Sequence, residues 1–79
     1  MSNVSGPAET TKAIEITVNG VPRQVPGDVT VLGLLEFLAV EPSRVAVERN
    51  RLIVRRPAWL ETRIEQGDQV EIVQFVGGG

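Results

Sequence analysis

From Ala13 onward the chain alternates. Ile14, Ile16 and Val18 are apolar while Glu15, Thr17 and Asn19 are polar, the period-two pattern of a strand with one buried face. Asn19-Gly20 supplies two residues that tolerate positive φ in a tight hairpin turn, and Val21 to Val25 return as a second strand. Pro22 and Pro26 place that strand at a sheet edge, where a missing N–H donor costs least. After the Pro26-Gly27-Asp28 loop the period changes. Val31, Leu34, Leu35 and Leu38 follow the i, i+3, i+4, i+7 spacing of a one-sided helix, which Thr30 would cap and which would run to about Val40 before Glu41-Pro42-Ser43 stops it. Alternation resumes with Val45 and Val47. Asn50-Arg51 offers a turn, Leu52 to Val54 a short fourth strand, and Pro57 to Leu60 an irregular or single-turn segment. Glu65-Gln66-Gly67-Asp68 is a further turn that launches a last strand, Gln69 to Val76, with Val70 and Ile72 on one face and Glu71, Val73 and Phe75 on the other.

Strand, hairpin, strand, helix, strand pair and final strand make an α+β domain, a single layer of sheet covered by one helix. Residues 1–12 are rich in Ser, Thr, Gly, Pro and Glu and lack hydrophobic periodicity, which predicts a mobile extension. Residues 13–76 form the folded domain and residues 77–79 a flexible tail. A chain of 79 residues has room for one modest core and not for a deep catalytic cleft with its own walls.

Composition narrows the chemistry. The net charge of −2 is the reverse of the strong positive excess expected of a nucleic-acid-binding domain. With neither Cys nor His, the chain lacks thiolate nucleophiles, imidazole bases and the commonest zinc ligands. Any reactive sulfur has to come from another molecule, and no metal or cofactor site of its own is expected. No apolar run approaches the ~20 residues of a membrane span, and the N-terminus lacks the basic and apolar regions of a secretion signal. Together these features predict a cytoplasmic protein.

What remains is the end of the chain. At a glycine frequency of about 7%, three glycines in a row at a chosen end arise by chance in roughly three or four sequences per ten thousand. Gly77-Gly78-Gly79 would reach roughly 10 Å beyond a strand ending near Val76. Without side chains they can thread a narrow channel and adopt backbone angles closed to other residues. A terminal carboxylate becomes an acyl donor once its oxygen attacks the α-phosphate of ATP, and glycine leaves the resulting carbonyl unhindered. Such a step needs phosphate clamps, and this chain has no phosphate-binding glycine loop with the required lysine. The catalyst would be a partner and this protein its substrate; the bland alternative is a frayed terminus.

The stretch Gly67-Asp68-Gln69-Val70-Glu71-Ile72-Val73-Gln74-Phe75-Val76-Gly77-Gly78-Gly79 resembles the C-terminus of the ThiS family, the sulfur carriers of thiazole formation in thiamin biosynthesis. Earlier pieces match in the same order: a first strand ending in Asn19-Gly20, Thr30-Val31 before Leu34-Leu35, Val45-Ala46-Val47 leading to Asn50, and Arg55-Arg56-Pro57-Ala58-Trp59. The likeness covers about Ala13 to Gly79. It implies a β-grasp, ubiquitin-like fold with a mixed four- to five-stranded sheet, its first and last strands parallel neighbours at the centre. It also implies that Gly79 is adenylated by a ThiF-type, E1-like enzyme using ATP and magnesium. A sulfur donor protein would then convert Gly79 to a thiocarboxylate, and thiazole synthase would accept the sulfur. The MoaD family of molybdopterin synthesis shares this fold and chemistry, but its members commonly carry a Pro-Pro pair where this chain has Gln74-Phe75. Cysteine-biosynthesis carriers and ubiquitin-like protein modifiers are further alternatives.

Other features are weighed alongside the tail. Val73 and Phe75 face away from the helix and, with Val76, Gly77 and Gly78, form the expected partner-binding surface; alternatively Phe75 folds back to complete the core. Arg44, Arg49, Arg51, Arg55 and Arg56 make a basic segment, either a solvated surface or a patch that guides a partner. Trp59 is expected as a core anchor, and Gly67-Asp68 as a plain turn. Lys12 is the only lysine, so self-linked chains would have to use it or the α-amine.

Overall fold

The computed structural model describes residues 12–75. Five strands form one sheet: β1 (Ala13–Val18), β2 (Val21–Pro26), β3 (Val45–Arg49), β4 (Leu52–Val54) and β5 (Gln69–Gln74), in the spatial order β2-β1-β5-β3-β4. A single helix, α1 (Val31–Phe37), covers one face. β1 and β5 run parallel while every other pair is antiparallel, which is the mixed sheet and parallel central pair expected from the resemblance.

Two tight turns set the register. Asn19 and Gly20 both take positive φ (51° and 83°), so Val18 lies opposite Val21 across a two-residue hairpin. Asn50 and Arg51 do the same at 53° and 71°, setting Arg49 opposite Leu52. Gly27 is required for a different reason: a Cβ there would lie 2.3 Å from the carbonyl oxygen of Lys12.

The apolar half of each alternating pattern meets the helix. Ile16, Val25, Val45, Val47 and Val70 of the sheet are buried against Val31, Leu34 and Leu35, with Trp59 and Ile64 closing the end of the core. Trp59 is the expected anchor: it is 4% exposed and its indole N–H donates to the carbonyl of Val54 at 2.7 Å. The irregular segment around Pro57 contains a 3₁₀ turn, Arg56–Ala58, and continues into a loop that serves the helix. Val31 and Leu32 donate their N–H groups to the carbonyls of Thr62 and Trp59, and Gly33 donates to the Thr30 hydroxyl. The helix N-terminus therefore has its unpaired donors satisfied inside the fold.

α1 is shorter than its apolar spacing suggests. Ala39 enters the left-handed region at φ 60°, its N–H donates to Glu36, and the N–H of Val40 reaches back to the carbonyl of Leu35. Those two bonds close a Schellman motif, which ends the helix at Phe37 while Leu38 and Val40 still pack against the core. The sequence conceals this stop because an alanine occupies the position that glycine usually fills. Ala39→Gly removes a Cβ clash of about 1 kcal/mol and should raise the free energy of unfolding by roughly that amount in a urea titration.

Candidate functional site

β5 is the middle strand, and everything about its surroundings serves to hold it. On one side β3 runs antiparallel to it from Val45 opposite Gln74 to Arg49 opposite Val70, and Phe75 donates its N–H to the carbonyl of Arg44 at 2.8 Å. On the other side β1 reaches only as far as Val18 opposite Val70. Asn19 takes over from there. Its backbone N–H donates to the carbonyl of Val70, its side-chain oxygen accepts from the N–H of Ile72 at 2.8 Å, and its side-chain amide donates to the carbonyl of Ile72 at 3.2 Å. One asparagine thus imitates another residue of strand and extends the ladder on β5.

The start of β5 is held in the same manner. Asn50 exchanges both of its polar ends: its backbone N–H donates to the carbonyl of Gln69, and its side-chain oxygen accepts from the N–H of Gln69. Its side-chain amide donates to Asp68 at 3.1 Å. Asp68 is buried, and it also accepts from the Arg49 guanidinium at 2.6 Å and from the backbone N–H of Glu65 at 2.8 Å. Gly67 and Asp68 are therefore more than the plain turn expected: the carboxylate ties the turn, β3 and the Asn50 corner into one unit. Asn19, Asn50 and Asp68 were legible only as turn formers, because their second role depends on strands distant in sequence.

Burial by itself would raise the Asp68 carboxyl, but hydrogen bonds from Arg49, the Glu65 N–H and Asn50, with the Arg49 charge, hold it below the ordinary aspartate value of 3.8. A pKa lower in the folded chain than in the unfolded one means stabilisation that is complete above the unfolded value and lost as pH falls through the folded one. Stability should accordingly fall on acidification below about pH 4, and Asp68→Asn should flatten that slope in urea titrations at stepped pH. Asp68→Ala, which leaves Arg49 and Asn50 without their acceptor, should cost about 2–3 kcal/mol at neutral pH.

On the face away from the helix, Val73 and Phe75 are 53% and 54% exposed, with Ala46 opposite Val73. Phe75 does not fold back to complete the core. Two pairs further down the ladder, the next pair on this face, Glu48 lies opposite Glu71, so this face is apolar toward the end of β5 and acidic toward its start. The expected site residues Val76, Gly77, Gly78 and Gly79 lie outside the described residues, as do residues 1–11. Among the described residues no three acidic side chains converge as a metal site would require, and no helix is long and apolar enough to cross a membrane.

A mixed five-stranded sheet with one helix across it, and a central last strand leading to a glycine end, defines a β-grasp carrier domain of the ubiquitin-like kind. The chain belongs to the ThiS family, whose model matches residues 16–79. The crystal structure of the thiamine biosynthesis protein ThiS from Geobacter metallireducens is similar to it, with a TM-score of 0.74 and 38% identity over 84% of this chain and 100% of that one. The sulfur carrier protein ThiS of Escherichia coli is 32% identical over 66 residues, covering 84% of this chain and 100% of the relative. A thiazole synthase of Magnetococcus marinus is 39% identical over 66 residues, again 84% of this chain; these residues make up 20% of that longer protein.

Proposed function

We propose that this protein carries sulfur to thiazole formation on its terminal carboxylate, acting in the cytoplasm as a substrate of other enzymes. The observation that supports this most directly is the family match running through the last strand and the glycines to residue 79. Activation by a ThiF-type, E1-like enzyme with ATP and magnesium would proceed by attack of a Gly79 carboxylate oxygen on the α-phosphate. Diphosphate leaves and an acyl-adenylate forms. Sulfide-level sulfur (HS−) delivered by the donor protein then attacks the carbonyl, AMP leaves, the S–H proton is lost, and the carboxylate has exchanged one oxygen for sulfur. Gly77 and Gly78 would provide reach into the partner's channel.

Thiazole synthase as acceptor is supported by the sequence likeness between this domain and a segment of the Magnetococcus protein of that name. Carrying such a segment in one chain with the synthase would give the two a high effective concentration. The curated carrier and solved structure that resemble this chain are also named for ThiS and thiamine biosynthesis, which favours thiazole over molybdopterin formation.

Intact-mass analysis after incubation with the activating enzyme, ATP and a sulfur donor tests the proposal. One oxygen should be replaced by sulfur, and deleting Gly78 and Gly79 should abolish that change while leaving the thermal unfolding of the domain intact. Conjugation to a lysine of another protein would instead identify a modifier, and no mass change with any cognate activating enzyme would sink both readings.

Val73 and Phe75 would seat the activating enzyme. Two exposed apolar side chains beside Ala46 form a patch at the end of the strand whose sequence continues to Gly79, which suits it to a partner that acts on the tail. Phe75→Ala should lower kcat/KM for adenylation by about tenfold or more, through KM, with no change in fold.

A further inference from the structure

The two edges of the sheet are treated in opposite ways. Across the β1–β2 hairpin, Val18 and Val21 flank the turn, so Thr17 and Pro22, and likewise Ala13 and Pro26, are non-hydrogen-bonded pairs. The nitrogens of Pro22 and Pro26 therefore face away from β1, where each proline removes an N–H that another strand could use. By the same alternation Arg49 with Leu52 and Val47 with Val54 are hydrogen-bonded pairs, and Ile53, opposite Glu48, points its N–H and C=O outward. Among the described residues no strand pairs with that edge and no proline interrupts it. Leu52 and Ile53 are 72% and 70% exposed, and beside them runs a groove lined by Leu52, Val54, Ala58 and Thr62 together with Arg49 and Arg55.

We propose that β4 is a second docking edge, separate from the tail, which accepts an extended segment of a partner protein by strand addition. The segment would alternate apolar residues between flanking carboxylates. Its main chain would pair with the N–H and C=O of Ile53, an apolar side chain would cover Leu52 and Val54, and its acidic ends would meet Arg51 and Arg55. Among the described residues neither arginine is in an ion pair, since the one salt bridge is that of Arg49 with Asp68. A second copy of this chain fits poorly. Two-fold antiparallel pairing centred on Ile53 sets Leu52 opposite Val54 and then Arg51 opposite Arg55, placing like charges face to face at both ends.

The test uses the full-length chain, labelled with ¹⁵N, and two blocked peptides in which Val and Thr alternate, one with Asp-Glu ends and one with Lys-Arg ends. The acidic peptide should shift the amide of Ile53 and its neighbours in β4, leave Gln24 of β2 unmoved, and weaken with added salt. The basic peptide should bind about tenfold more weakly or not at all. Ile53→Pro removes the outward N–H without taking a donor from the β3–β4 ladder and should lower acidic-peptide affinity by about tenfold with the spectrum still that of a folded domain. Should that variant fail to fold, Arg55→Glu keeps the backbone edge and should reverse the preference between the peptides. Equal affinity for the two peptides, shifts at β2 instead of β4, no shift at all, or self-association abolished by Ile53→Pro would each overturn the proposal.

Discussion

The parallel pairing of β1 with β5 is the constraint on which the rest of the molecule depends. Parallel neighbours cannot be joined by a short hairpin, so everything between Val18 and Gln69 has to be a crossover. The chain uses that length to build β2 and the helix, then the β3–β4 hairpin and the loop that caps the helix. Because β3 flanks β5 on the other side, the last strand becomes the middle of the sheet and not a dangling end. The two faces then acquire different tasks. Val70 is buried against the core, while Val73 and Phe75 stay in solvent.

On the proposed function, a central strand whose sequence continues into a reactive tail faces a conflict. It has to be fixed along its length and yet be released at its tip. β1 stops at Val18, before the end of β5, and an ordinary sheet would leave the backbone of Ile72 unpaired there. The Asn19 side chain supplies both missing partners without another strand. At the opposite end Asn50 bonds Gln69, and Asp68 gathers Arg49, Asn50 and the Glu65 N–H. Fixed points thus lie at the entry and midway along β5, so the strand direction is set before the chain reaches Phe75. On the proposed function, in which the tail enters another protein's channel, a fixed origin limits the directions to be searched, which reduces the ordering cost on binding.

Much of this was legible because the strands and helix obey simple periods. Ile14-Ile16-Val18 and Val45-Val47 alternate, Val31-Leu34-Leu35 recur at helical spacing, and Asn19-Gly20 is a strong short-range hairpin signal. The helix stop was legible only to within a turn: Glu41-Pro42-Ser43 marks an end near Val40, whereas α1 ends at Phe37. Ala39 has good helical propensity, and only the closing bonds to Leu35 and Glu36 force it into the left-handed region. Asp68 was hidden for a related reason: a turn aspartate and a buried ion-pairing aspartate look identical until Arg49 and Asn50 are brought beside it. The exposed face of β5 was readable from parity alone, since Val73 and Phe75 occupy positions opposite in phase to Val70 and Ile72.

Three neighbouring arginines show why a basic segment cannot be treated as one surface. Arg49 lies against buried Asp68 and is structural, whereas Arg56 is held over Trp59 and donates to the carbonyls of Pro42 and Val45. Both are engaged by the fold itself. Arg55 lines the groove beside β4 and, among the described residues, forms no ion pair. Charge reversal at Arg49 would therefore be felt as lost stability, while the same change at Arg55 leaves the core contacts in place and alters only what the edge can attract. A basic stretch of sequence thus divides into residues that close the structure and residues that face outward, and the division follows from which of them find a carboxylate or a carbonyl within the fold.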